Sequence, residues 1–289
     1  MQLTAEEILL LPTDEDVEFY RIHGYYKSKK LFTDAEIASA LAGSERYYAG
    51  ERDFTLPVDV RGWRPEHGNV LRKNDYASLQ NRELATLIRK PLLAAVAARL
   101  SGSSIRLWHD QLLYKPSSDP QKGTNVGWHT DRGYWKTCSS TQMLTAWIPF
   151  HDCDERMGTI TMIDQSQDWP DNTDQLDFFS NDLQGLEKKF NTGGHPILKV
   201  PVELEMGQVS FHSCLTIHGS GPNFTANPRR SIAVHLQDEG NHYQEYHYSN
   251  GTLARHNNDQ LCRHSVNQQG QQYPDYTDPA ICPQLWPVH

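Results

Sequence analysis

The stretch Ile105-Arg106-Leu107-Trp108-His109-Asp110-Gln111-Leu112-Leu113-Tyr114 decides the fold. Ile105, Leu107, His109, Gln111 and Leu113 alternate with Arg106, Trp108, Asp110, Leu112 and Tyr114, the period of two that puts successive side chains on opposite faces of a strand. Before this stretch the chain reads as helical. After it, strand-like runs follow at Gln142–Phe150, Thr159–Ile163, Ile197–Val202, Gln208–Phe211 and Ser231–Leu236, separated by Gly, Asn, Pro and Asp clusters. Short strands behind a helical front third predict a mainly β chain with flanking helices, its core a sandwich or jelly roll carrying helices on one face.

On the N-terminal side, residues 14–43 read as helix, short extended piece, helix. Asp14 or Thr13 caps the first helix and Gly24 stops it. Thr33 and Glu36 form a capping box for the second. Residues 81–100 are helical again, with Leu84, Leu87, Ile88, Leu92, Ala95 and Leu100 as the apolar face. Pro91 either kinks this run or opens a second helix within it. Residues 241–289 are rich in Gln, Asn, His and Tyr and poor in aliphatics. They read as a tail wrapped over the surface, or as a lid over a site. One domain therefore accounts for residues 1–289: a helical section over 1–100, a jelly-roll core over 101–240 and the polar tail.

Composition removes several classes. The 289 residues carry 27 Lys and Arg against 36 Asp and Glu, a net charge of −9, which disfavours nucleic acid and anionic membrane surfaces as partners. With 37% hydrophobic residues and 7 Trp there is ample material for a core. The apolar run Leu92 to Ala98 falls far short of the ~20 residues a membrane span needs. The acidic start, MQLTAEEILLLPTDEDVEF, lacks the basic region of a signal peptide. The 5 Cys are scattered, with no C-x-x-C pair, so thiolate metal sites and disulfide frameworks are not expected and a cytoplasmic location is.

Among the 14 His, the sharpest local signal is Trp128-His129-Thr130-Asp131. Residues i and i+2 of a strand share a side, so His129 and Asp131 can meet one metal while Thr130 points away. His218, in His218-Gly219-Ser220-Gly221-Pro222-Asn223, is distant in sequence, as a ligand that a rolled sheet can return to that pair. Two imidazoles and one carboxylate suit Fe(II) with open positions for a chelating co-substrate; zinc hydrolysis with the same donors is a competing reading. An arginine favours the first. Parity along Ser231–Leu236 separates Arg230, on the face of Ile232, Val234 and Leu236, from Arg229, on the smaller and more polar face of Ser231, Ala233 and His235. Arg229 is expected inside, where a guanidinium can hold a carboxylate bidentately.

Taken together, DVEFYRIHGYY at 16–26, DQLLYKP at 110–116, WHTD at 128–131, LTAWIPF at 144–150 and HGSGPN at 218–223 followed by PRR resemble the phytanoyl-CoA dioxygenase family of Fe(II)/2-oxoglutarate oxygenases. The resemblance runs from about Asp14 to Leu236. It implies a double-stranded β-helix core of cupin-like type. It also implies a hydroxylase that uses 2-oxoglutarate and O₂ on a small organic molecule and releases succinate and CO₂. Carried over, His129, Asp131 and His218 match the iron ligands. Arg229 matches the anchor of the far carboxylate of 2-oxoglutarate, Ser220 a hydroxyl beside it, and Trp147 a flanking indole; Gln111 and Lys115 lie on a strand that reaches the same place. Tyr134, Trp135 and Arg132 are candidates for the substrate pocket, and Arg61, Arg64, Arg72 and Lys73 form a basic cluster read as ordinary surface, with contact to an anionic group of the substrate as the alternative. His212 is read as a structural neighbour of the site rather than a ligand. One departure stands out: where many members have Pro-Gly-Ser/Thr-His, this chain has Asp164-Gln165-Ser166-Gln167. Asp131 is present where halogenating relatives have Gly or Ala, so oxygenation is expected. The alternatives are a catalytically silent jelly roll that binds a small ligand, and an acyl-CoA hydroxylase.

Overall fold

The strand expected at 105–114 extends over Ile105–Lys115 in the computed structural model, which describes residues 2–60, 62–117 and 124–287. The α-helices are α1 (Ala5–Ile8), α2 (Asp14–His23), α3 (Asp34–Tyr48), α4 (Arg82–Ile88), α5 (Pro91–Ser101), α6 (Leu183–Glu187) and α7 (Asn258–Leu261). The strands are β1 (Tyr25–Lys27), β2 (Arg72–Asp75), β3 (Ile105–Lys115), β4 (Val126–His129), β5 (Leu144–Pro149), β6 (Thr161–Ile163), β7 (Lys199–Pro201), β8 (Ser210–Ser213), β9 (His218–Ser220), β10 (Arg229–Asp238), β11 (His264–Val266), β12 (Gln272–Pro274) and β13 (Gln284–Trp286). A larger sheet runs β1-β8-β5-β10-β3-β13, with β2 also on β3, and a smaller one runs β4-β9-β6-β7. These curled antiparallel sheets are the double-stranded β-helix.

The helix signals act as read. Thr13 and Thr33 each accept a hydrogen bond from the backbone three residues on, in reciprocal capping boxes with Asp16 and Glu36. Pro91 starts α5 instead of kinking one long helix, because its missing N–H falls where a first-turn N–H has no partner anyway. Gly24 ends α2 at φ 77°, and a Cβ there would lie 2.3 Å from Gln167 Oε1. The glycine thus permits both the left-handed turn and the approach of the 164–167 loop.

Helices α3 to α5 cover one face of the larger sheet. Leu84, Leu93 and Val96 pack with Ala146, Ile148, Ile232, Val234 and Leu236. Leu113, Trp147 and Ala233 point the other way, against Ile160, Met162 and Val202 of the region around the smaller sheet. The alternation predicted for Ser231–Leu236 is therefore real.

Along β3 the strict alternation breaks once. Leu107 packs with the helix-facing core, whereas Gln111 and Leu113 face between the sheets. A register shift explains this: His235 pairs with His109, but the next residue, Leu236, pairs with Leu107. The extra residue, Trp108, is a β-bulge that reverses parity and turns His109 inward.

The last fifty residues do more than wrap the surface. β13 pairs with β3 and so extends the larger sheet, while Leu261, Tyr276, Ile281 and Cys282 are buried with Trp108 and Trp135 in a core of their own. The polar composition hid these few anchors. No helix among the described residues is long and apolar enough to cross a membrane.

Candidate active site

His129 and His218 face each other across the β4–β9 pair, in register, with ring centroids 4.1 Å apart. Asp131 joins them, its Oδ1 lying 4.0 Å from His129 Nε2 and 3.8 Å from His218 Nε2. All three are buried and their donor atoms lie within 4.8 Å of one another. The approach differs from the expected one. β4 ends at His129; Thr130 caps a single turn over Asp131–Gly133, and that turn, not strand alternation, brings the carboxylate round.

Each donor is oriented by a second contact. His129 Nδ1–H donates to Gly127 O at 2.8 Å and His218 Nδ1–H to Thr216 O at 3.0 Å. A carbonyl can only accept, so both rings present the bare Nε2 lone pair that a metal needs. Burial keeps both imidazoles neutral, against the pull of Asp131. Burial also works against the charge on Asp131, but His235, His218 and His212 outweigh it and hold the carboxyl well below the usual carboxylate range. The outer oxygen, Oδ2, accepts from Thr145 Oγ1 at 2.5 Å and from His212 Nε2 at 3.2 Å. His235 Nδ1–H in turn donates to Thr145 Oγ1 at 2.7 Å. His212 is thus a clamp on the carboxylate, in keeping with its sequence reading.

A second constellation lines the same cavity. Arg229 and Lys115 lie opposite each other in the β10–β3 register, both buried. Lys115 Nζ donates to Ser220 Oγ and to Gly221 O, each at 2.5 Å. Arg229 Nη1 donates to Gly158 O at 2.5 Å and to Ser220 Oγ at 3.3 Å, and its guanidinium lies 5.3 Å from the Trp147 ring. Among the described residues neither cation has a carboxylate partner, and Arg229 Nε has no hydrogen-bond partner. Burial lowers Arg229 to about 10, and burial with the neighbouring guanidinium lowers Lys115 well below its ordinary value. Two buried cations without a counter-charge are costly unless an anion completes them. Iron and 2-oxoglutarate fit these residues: a neutral-imidazole and carboxylate donor set at one end, an unfilled demand for a carboxylate at the other.

The other sequence candidates divide. Gln111 lies between this slot and a wider cavity on the far side of His129 and Asp131. Tyr134 and Trp135 line that wider cavity. Arg132 does not: its guanidinium donates back to the carbonyls of Trp135 and Cys138. Lys73 also reaches the cavity, paired with Asp75 at 2.8 Å. Arg72 is sandwiched among Tyr114, Trp63 and Tyr48, and Arg64 pairs with Asp59 at the surface. Arg61 falls outside the described residues.

Sequence reading gave no role to Thr145, His235, His109, Phe178 or His256. Parity offered a signal for the first two, which sit on the inward faces of β5 and β10; the bulge in β3 hid His109 from it. None existed for Phe178, carried in by a loop that Gly127 admits: a Cβ there would lie 1.9 Å from Asp177 O. His256 comes from the tail.

The family model of phytanoyl-CoA dioxygenase (PhyH) matches residues 20–231. The chain is 24% identical over 245 residues to the peroxisomal phytanoyl-CoA dioxygenase of Bos taurus, covering 79% of this chain and 69% of the relative. It is 23% identical over 234 residues to the ectoine dioxygenase of Bordetella bronchiseptica, covering 75% and 73%. A crystal structure of the epimerase SnoN in complex with Fe3+, alpha ketoglutarate and nogalamycin RO superposes with a TM-score of 0.63 at 24% identity, over 80% of this chain and 85% of that one. This last likeness bears on the fold.

Proposed function

Because the chain belongs to the phytanoyl-CoA dioxygenase family, and so to the Fe(II)/2-oxoglutarate-dependent dioxygenases, we propose that it hydroxylates an aliphatic carbon of a small organic molecule. The observation that carries the proposal is a single cavity lined both by the facial triad His129, Asp131 and His218 and by Arg229. When bound, iron and 2-oxoglutarate with O₂ supply the oxidising chemistry, giving succinate, CO₂ and a hydroxyl on the substrate.

The protein's part is positioning and exclusion of water. His129 and His218 offer Nε2, and Asp131 offers Oδ1 while Thr145 and His212 hold its other oxygen. Arg229 and Lys115 neutralise the far carboxylate. Ser220 Oγ accepts from both cations, so its own proton is free to donate to that carboxylate. Trp147 closes the slot, and Gln111 borders it on the substrate side. Tyr134 and Trp135 wall the wider cavity, where the substrate sits. Zinc hydrolysis leaves Arg229 and Lys115 without purpose, and a silent binding protein has no use for an intact triad.

Residues 1–289 are read as one oxygenase domain, a reading supported by the pairing of β13 with β3. Five buried free cysteines suit a reducing, cytoplasmic setting. The relatives' names span an acyl-CoA and ectoine, so family membership leaves the substrate open. The polar lining of the wider cavity by Lys73, Asp75, His109 and Gln111 suits a small polar metabolite better than an acyl chain. Secondary-metabolite tailoring, including toxin biosynthesis, belongs to this reading, and 7-deoxycylindrospermopsin is one compound for the substrate panel.

The test is succinate formation from 2-oxoglutarate with Fe(II), O₂ and a substrate panel. Wild type turns over above background with at least one substrate and His129→Ala does not; equal background turnover by both defeats the proposal. Anaerobic addition of Fe(II) and 2-oxoglutarate gives a visible charge-transfer band in an oxygenase and none in a binding protein.

A further inference from the structure

His109 is an unexplained residue. It is 3% exposed, sits beside the iron triad, and neither ring nitrogen has a hydrogen-bond partner among the described residues. Buried polar groups are rarely left so. Its ring lies 4.4 Å from that of His235 and 5.0 Å from that of His256, centroid to centroid, and 6.0 Å from Trp135. None of these contacts is a hydrogen bond. His235 is itself committed through Nδ1–H to Thr145, which leaves its Nε2 as another lone pair without a partner among the described residues.

The fold spends a bulge on this arrangement. Without the extra residue at Trp108, the strand parity that sends Leu107 toward the helices would send His109 there too. Instead His109 lines the wider cavity with Gln111. Facing them are Tyr134, Trp135, Phe178 and Phe179. Burial, with His235 and His256 nearby, keeps the His109 ring neutral, so it offers one N–H donor and one lone pair.

We propose that His109, seconded by Gln111, recognises the substrate through a group that both gives and takes a hydrogen bond. The substrate is therefore a small molecule bearing an amide, lactam or hydroxyl on one side and an apolar face toward Phe178 and Trp135. A bare acyl chain leaves both nitrogens of His109 unsatisfied. This deepens the proposed function and rests on it only in taking the wider cavity beside the triad as the substrate's seat.

The test uses the metal-free 289-residue chain with histidine-labelled imidazoles followed by NMR. Three probes are titrated separately: δ-valerolactam (donor and acceptor), N-methyl-δ-valerolactam (acceptor only) and methylcyclohexane (uncharged, neither donor nor acceptor). The lactam is expected to move the His109 resonances, identified by their loss in His109→Gln, and to bind about tenfold more tightly than either other probe. His109→Leu binds the lactam about tenfold more weakly, whereas His109→Gln, which keeps a donor and an acceptor, stays within about threefold of wild type. Thermal melts identify folded variants, and His109→Phe replaces His109→Leu if the latter does not fold. Lactam binding that leaves His109 unmoved, tighter binding of methylcyclohexane, or equal lactam affinity in wild type and the apolar variant each overturns the proposal. So does the absence of lactam binding. The probe comparison in the wild type decides even without a variant. Neither iron nor 2-oxoglutarate is present, so failure here is distinct from failure of the succinate assay.

Discussion

The inward faces of β3 and β10 hold two opposite solutions to burying polar groups. At one end Lys115 lies opposite Arg229, and at the other His109 lies opposite His235. Both pairs are like with like, and both are buried. The first pair is built of cation-bearing side chains whose charge burial opposes, held in place by hydrogen bonds to Ser220, Gly158 and Gly221. The second is neutral, with His235 held down to about 4 by burial. An end that must take the same dianion in every turnover can afford fixed charge. An end that selects one substrate uses neutral groups, whose unmet hydrogen bonds penalise the wrong molecule.

The sharpest way to break this contrast is Arg229→Met. An unpaired buried cation opposes folding, so its removal is expected to raise the stability of the ligand-free protein by about 1–3 kcal/mol. The same change leaves the far carboxylate of 2-oxoglutarate unmatched and weakens its binding by about a hundred- to a thousandfold. Denaturant unfolding and calorimetric titration read the two effects. If the variant is less stable, the cation is satisfied by the protein itself and the cationic end is not waiting for a ligand.

Thr145→Val tests the join between the ends. Thr145 links His235 to the outer oxygen of Asp131. Without the hydroxyl, Asp131 can rotate and His235 loses its acceptor. Fe(II) affinity is expected to fall by about 10- to 100-fold, measured by competition with a chelator. An unchanged affinity would show that His212 alone orients the carboxylate.

Ser220→Ala gives a smaller effect at the cationic end. It removes an acceptor shared by Lys115 and Arg229, and with it one donor to the co-substrate. Affinity for 2-oxoglutarate is expected to drop about tenfold, and an Fe(II) affinity that stays constant localises the loss. If Fe(II) affinity falls in parallel, the two constellations are coupled through β9, which carries both His218 and Ser220.

How much of this was legible beforehand follows from what each residue's position depends on. Arg229 was separable from Arg230 because one strand's alternation is local, and it holds along the whole of β10. The triad was legible as types and order, but the route of Asp131 was not: Thr130 is equally at home in a strand and as the cap of a turn. Lys115 was tied to the co-substrate only through the resemblance, since only the pairing of β3 with β10 shows it buried beside a second cation. His109 was assigned the wrong neighbours, because a bulge is a property of two strands and no single-strand pattern records it. The tail misled through average polarity; Leu261, Ile281 and Leu285 are few, yet they are the residues that anchor it.

The smallest expected effect concerns one proton at the neutral end. Burial, His235, His256 and Lys73 lower the pKa of His109 well below the ordinary histidine value, outweighing Asp131. In the unfolded chain the same ring titrates near about 6.5. Between that value and the depressed folded one, the unfolded chain binds the proton and the folded protein does not. Stability therefore falls on acidification below about pH 6.5, by up to ~1.4 kcal/mol per pH unit for each such imidazole. His256, lowered to about 3 by burial, with His235 and Lys73 beside it, adds to the slope in the same window. His109→Gln removes one contributor, so urea unfolding between about pH 6 and pH 5 should show a slope shallower by roughly one proton. If the slope does not change, His109 is already protonated in the folded state. The substrate end would then be cationic like the other, and its selectivity would have to rest on attracting an anion.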